Sequence, residues 1–142
     1  MEFIKVPYFK RVWNSYRLRG VTFVEFFVVI VIIYSFFIPY LLLALLPIIV
    51  PLLFDSYIYV YRIYTQDENL YIYYLAFNKE KSIIVPNKNL RIVEYELGLN
   101  TGPMFKIVED FGKGNIKRIV RQYKIVEWSK KENVEMLKKM LK

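Results

Sequence analysis

Lys113, Lys117, Arg118, Arg121 and Lys124 fall within residues 113–124, a stretch with no acid in it. Cations gathered along one edge suit an anionic ligand. A lipid headgroup would gain about 1 kcal/mol per cation near its surface, and a nucleotide phosphate or an acidic protein would be drawn in the same way. The pattern also suits a solvated edge strand that resists aggregation, and the residues leave both readings open. Gly112-Lys113-Gly114 is not a phosphate loop, because the Walker spacing and a following helix signal are missing. It reads as a turn. Glu25 is the one charge in residues 21–54, and an ionisable residue in so apolar a setting is a candidate for packing against a partner or for function. The chain has no histidine and no cysteine, which removes the commonest general base, the commonest metal ligand, thiolate metal sites and disulfides. Glu94 and Glu96 share a strand face, but no carboxylate pair sits in a setting that would raise a pKa. The expectation is no catalytic residue, no metal and no cofactor.

The element that must position these residues first is the apolar run. From Phe26 to Phe54 there is no charge at all. A run of about 18 or more apolar residues is a candidate membrane span. One helix of that length would be too long for a single upright crossing of a hydrocarbon layer about 30 Å thick. The break at Ile38-Pro39, with Tyr34, Phe36, Phe37 and Tyr40 around it, suits a turn between two helices. The run therefore predicts a transmembrane helical hairpin over 18–56, with helices at about 18–37 and 39–56, and one long tilted helix as the alternative. Both flanks are basic, so the positive-inside rule predicts both termini on the cytoplasmic side of the inner membrane of the cell, in a multi-pass arrangement. Ahead of it, residues 1–17 read as a basic amphipathic segment. Tyr8, Val12 and Tyr16 share a face with Phe9 and Trp13 beside them. Lys10, Arg11, Trp13, Arg17 and Arg19 are the expected interfacial anchors.

Beyond Ser56 the apolar period changes from 3.6 to 2. Residues 57–64 and 70–75 alternate around the turn Gln66-Asp67-Glu68-Asn69 and predict a hairpin. Further strands are expected at 82–85 and 90–97. Residues 104–111 and 115–126 predict another hairpin across Gly112-Lys113-Gly114. A helix over 129–141 closes the chain, with Ser129 and Glu132 as a capping box. The tyrosines of these strands could stack bases, but they suit a core and an aromatic band better. Residues 57–142 thus form one β-domain with a C-terminal helix, and the fold class expected is membrane α + β: the hairpin, then a small antiparallel barrel or bent sheet capped by that helix.

Three stretches in this domain carry a resemblance. Residues 61–72 (Tyr-Arg-Ile-Tyr-Thr-Gln-Asp-Glu-Asn-Leu-Tyr-Ile) look like an opening strand, Thr-acidic turn and strand. Residues 81–86 followed by 90–94 look like a third and fourth strand with an intervening proline, and the helix after Trp128 looks like a closing helix. Together they resemble the bacterial pleckstrin-homology-like (PH-like) domains found on small membrane proteins. The resemblance implies a scaffold for binding, without catalysis. Eukaryotic relatives often bind phosphoinositide headgroups through a basic first hairpin loop, and here that loop, Gln66-Asp67-Glu68-Asn69, is acidic.

The function expected is a non-enzymatic, membrane-anchored PH-like adaptor that recognises a protein partner, another copy of itself or anionic lipid. An accessory subunit of a larger membrane complex and a nucleotide-sensing membrane effector are the alternatives. The lipid bilayer and a protein partner or homo-oligomer are the expected partners, and nucleic acid is not.

Overall fold

Alternation of apolar and polar residues, with β-branched and tyrosine side chains, makes residues 58–86 into three antiparallel strands: β1 (Ile58–Gln66), β2 (Asn69–Ala76) and β3 (Lys79–Pro86). In this computed structural model, β4 (Leu90–Tyr95), β5 (Met104–Asp110) and β6 (Ile116–Tyr123) form a second three-stranded antiparallel sheet. The helices are α1 (Tyr8–Leu18), α2 (Thr22–Ser35), α3 (Leu46–Asp55) and, after a 3-10 turn at Val126–Ser129, α4 (Lys131–Met140). The structure describes residues 1–18, 22–36, 38, 40, 43, 45–95 and 103–141, with the backbone alone at 18, 22–26 and 48.

The turn chemistry fits the strand twist. Asp67 and Glu68 both lie at positive φ, 48° and 61°, as a two-residue hairpin loop of matching twist requires. Gly112, Lys113 and Gly114 at 78°, 51° and 79° close the β5–β6 hairpin. Each sheet carries a bulge. Val60 pairs with Tyr74 and Arg62 with Tyr73, which leaves Tyr61 as the extra residue. Ile107 pairs with Val120 and Val108 with Arg118, which leaves Ile119 as the extra residue. Bulges bend strands, and here they let the two sheets face one another over one core.

Ile63, Leu70, Ile72 and Leu75 from the first sheet meet Leu90, Phe105, Ile107 and Val120 from the second, and Val134 and Leu137 of α4 pack on the same cluster. Trp128 is its centre. The indole contacts Phe3 and Phe105 edge-on at 5.0 Å each, and its Nε1–H donates to the Val60 carbonyl at 2.6 Å. The Val60 N–H donates to Gln122 Oε1 at 2.8 Å. Both backbone groups of Val60 are buried and turned away from β2, so a tryptophan and a glutamine do the work of a neighbouring strand. Residues 1–3 cover β1 further along: Phe3 N–H donates to Tyr61 O, and Ile63 N–H to Met1 O.

Three expectations are corrected. The first is the transmembrane hairpin. Helix α2 has 14 residues and α3 has 10, about 21 Å and 15 Å at 1.5 Å per residue against a hydrocarbon layer of about 30 Å. Among the described residues no helix is long and apolar enough to cross a membrane. Helix α2 stops at Ser35 rather than Phe37. Helix α3 starts at Leu46 with Pro47 in its first turn, where the missing N–H costs nothing, rather than at Pro39. The membrane fold class, the inner-membrane location and the two cytoplasmic termini rested on those spans and fall with them. The second is the single barrel or bent sheet. Among the described residues β3 and β4 do not pair, and the six strands form two sheets. The third is the capping box. Lys130 is the N-cap of α4 without a side-chain bond, and the Ser129 hydroxyl instead donates to Val126 O at 2.5 Å.

Candidate functional site: an apolar groove beside α1

Helix α1 sits on the β1–β2–β3 end of the domain by its polar side. The Tyr8 N–H, an orphan donor of the first turn, is capped from outside by Asn78 Oδ1 at 2.9 Å. The Tyr8 hydroxyl donates to Leu53 O at 2.9 Å. Arg11 is 0% exposed. Its guanidinium donates to Tyr57 O at 3.3 Å and to Phe77 O, and lies over the rings of Tyr8 and Tyr59 at 5.5 and 5.7 Å. Burial pushes the Arg11 pKa down to about 10, so it remains a cation at neutral pH. Burial, with Glu127 nearby, pushes Tyr59 up to about 12. Phe77 presents its carbonyl to Arg11 from a left-handed φ of 58°, and its ring packs on Tyr8 at 4.5 Å.

The consequence lies on the other side of the helix. Successive residues turn by about 100°. Tyr8, Arg11 and Ser15 share one stripe, and all three are buried. Val12, Tyr16, Phe9 and Trp13 share another, about 100° wide, and Phe9 and Trp13 are 74% and 57% exposed. This stripe forms one wall of a groove of about 390 Å³, and Ile49, Leu52 and Leu53 of α3 form the opposite wall, with Val28 of α2 at one end. Leu46, Val50 and Phe54 extend the apolar exposure along α3, and α2 exposes Phe27, Val29, Ile30, Ile32 and Ile33 on several sides. An exposed apolar groove flanked by further exposed apolar side chains marks an interaction site in a folded chain.

The anchors expected from the sequence therefore divide. Lys10 and Arg17 are exposed, and neither makes an ion pair with another described residue. Trp13 is exposed in the groove wall. Arg11 is corrected: it is a buried internal tie, because the i, i+3, i+7 spacing of Tyr8, Arg11 and Ser15 turns it toward the carbonyls of Tyr57 and Phe77. Arg19 and the side chain of Glu25 lie outside the described residues.

The five basic residues of 113–124 do not form one constellation. Lys113 is at the hairpin tip, and Lys117 and Arg118 are exposed at the start of β6, with Lys117 opposite Glu109. Arg121 is half-buried over the Tyr123 ring at 5.7 Å, opposite Lys106. Lys124 is committed elsewhere, bonded at 2.5 Å to Glu94, which also holds Lys138 of α4. From Lys117 to Lys124 the strand runs about 24 Å, so these cations serve different neighbours.

The tyrosines divide too. Tyr59 and Tyr61 are buried. On the outer face of the first sheet Tyr64 and Tyr71 stack at 4.9 Å and 4°, with Arg62 over Tyr64 at 5.1 Å. Their ring faces are turned to one another, which favours cross-strand stabilisation over base stacking. Sequence reasoning missed the seat of Arg11, the groove wall and Gln122. Part of the signal for the first two was present: the helical period puts Phe9 and Trp13 on the arc of Val12 and Arg11 on another, without saying which arc is buried.

Set against known proteins, the chain matches no family model, no curated protein and no solved structure. The groove and its chemistry carry the functional argument.

Proposed function

We propose that this chain is a non-enzymatic binding module, PH-like in architecture, that docks a protein partner in the groove between α1 and α3. The observation that carries this is the orientation of α1. An arginine is taken out of water while a phenylalanine and a tryptophan are left in it. Each side of that exchange costs free energy in an isolated chain: apolar area in water at about 25 cal/mol per Å², and a desolvated cation on the other side. A surface that is covered in use removes the first cost. Antiparallel strands followed by a closing helix are what the PH-like reading keeps, with two sheets in place of one barrel. The displaced carboxylates support a structural role for the acids. Glu80, Glu94 and Glu135 all have pKa values lowered, first of all by hydrogen bonds from lysines, whereas a general acid at neutral pH needs a raised one.

A photo-crosslinking amino acid placed at Phe9 or Trp13 tests the proposal in the cell of origin, with Ser82, exposed on β3 outside the groove, as control. The expected result is one discrete polypeptide adduct from positions 9 and 13, identified by mass spectrometry, and none from 82. Adducts only to lipid, or only to a second copy of the chain, would overturn the partner-docking reading.

A further inference from the structure

The groove has a charged border on one side only. On α1 the arc next to Phe9 and Trp13 is occupied by Arg17 and Lys10, and on the far side of these comes Asn14. Arg17 and Lys10 are seven residues apart, so their cations emerge on the same line about 10 Å apart along the helix axis. The opposite wall, α3, carries no basic residue, and its one charge, Asp55, is buried. The site is an apolar trough with Lys10 and Arg17 on the adjoining arc of α1, where Arg17 also borders a polar pocket with Asn14, Val126, Glu127 and Ser129.

Resting on the partner-docking reading above, we propose that the occupant is an amphipathic helix. Its apolar stripe fills the groove, and it carries two acidic residues seven positions apart along one flank. Helix-in-groove recognition uses apolar anchors at i, i+3, i+4 and i+7. That spacing matches a trough walled by Phe9, Trp13 and Tyr16 on one side and Ile49, Leu52 and Leu53 on the other. Acids at i and i+7 of the occupant then fall opposite Lys10 and Arg17. A second copy of the chain fits worse. The molecule carries a net charge of +8, and self-docking across this groove would bring the two cationic rims together. The amphipathic helices a second copy has to offer are α1, with Lys10 and Arg17, and α4, with Lys138 and Lys139 in its last turn. A lipid surface fits worse as well, because a flat layer does not fill a trough.

The test uses the full chain and synthetic peptides of about 18 residues, long enough to hold a helix. One has leucines at i, i+3, i+4 and i+7 with glutamates seven positions apart on one flank. The second is the same peptide with lysines at those two positions. The readout is quenching of Trp13 by acrylamide, with buried Trp128 as constant background, alongside calorimetry. The acidic peptide is expected to bind and to protect Trp13. Affinity should fall roughly three- to tenfold on K10E or R17E and weaken with added salt, since rim pairs contribute modestly and are screened. The lysine peptide should bind more weakly to the natural chain and gain on the K10E/R17E variant. Equal binding of both peptides, abolished by W13S, would overturn the acidic-flank assignment and leave the partner-docking reading standing. Binding of neither peptide would overturn the helical occupant, as would protection of Trp13 by phosphatidylglycerol vesicles alone.

Discussion

Arg11 links the two halves of the molecule. Its guanidinium reaches the carbonyls of Tyr57 and Phe77, at the start of β1 and beyond the end of β2, from a helix that makes the groove wall. Its Nε, with the hydroxyls of Ser56 and Tyr59, has no hydrogen-bond partner among the described residues. The seat of α1 therefore combines strong charge-assisted bonds with polar atoms that were desolvated without return. Replacing Arg11 by methionine keeps the length and removes the donors. The expected loss is about 2–3 kcal/mol in urea unfolding, the range for charged hydrogen bonds whose acceptors are left buried. Arg11→Lys should recover only part of it, because an ammonium cannot span two carbonyls as the planar fork does. A loss below about 0.5 kcal/mol, the range of ordinary surface changes, would show that the guanidinium does not hold α1.

The C-terminal helix α4 is attached by packing and by charge. Val134 and Leu137 enter the core. Glu94 of β4 binds both Lys124 at 2.5 Å and Lys138, which also pairs with Glu135 at 2.7 Å. The lysine hydrogen bonds hold the Glu94 pKa below 4.5, and Glu135 and Glu94 raise Lys138 to about 12. Glu94 is depressed in the folded state, so its contribution is complete above the unfolded value, near 4.5, and is lost as pH falls through the folded one. Lys138 is raised, so its contribution is complete below about 10.5 and is lost as pH rises through about 12. Acid titration followed by far-ultraviolet circular dichroism should show α4 loosening below about pH 4.5, with Glu94→Gln flattening that limb. An acid limb that keeps its shape in Glu94→Gln would assign the acid sensitivity to other carboxylates.

At the scale of the whole molecule, one end is closed by Trp128, Gln122 and the two sheets, and the other presents Phe9, Trp13 and the apolar faces of α2 and α3. With nothing seated in the groove, exposure of that extent favours weak, concentration-dependent self-association even though the cations of α1 disfavour a seated second copy. Sedimentation velocity of the natural chain should show concentration-dependent association. The F9S/W13S variant should shift toward the monomer, with its melting temperature unchanged or nearly so, because exposed positions away from caps and cores move stability by about 0.5 kcal/mol or less. A lowered melting temperature without any change in association would mean that the two rings hold the fold rather than a binding surface.

The sequence by itself determined the local structure. Alternation placed six strands close to where they stand, Gly112-Lys113-Gly114 and Asp67-Glu68 placed hairpin turns, and Val134 and Leu137 marked the inner face of the last helix. These signals are short-range, set by side-chain period and by which residues tolerate positive φ. Tertiary structure decided the rest. Hydropathy counted the residues of 21–54 but not where the helix ends at Ser35 or begins again at Leu46, and those ends settle whether a helix is long enough to cross a membrane. An amphipathic pattern gave α1 two faces without saying which would be buried. Only the open carbonyls of Tyr57 and Phe77, brought together by the β1–β2 pairing, draw Arg11 inside and leave Trp13 out. Lys124 joined an acid-free run in the sequence and a glutamate in the fold. Long-range hydrogen bonds decide these partners, and no local pattern contains them.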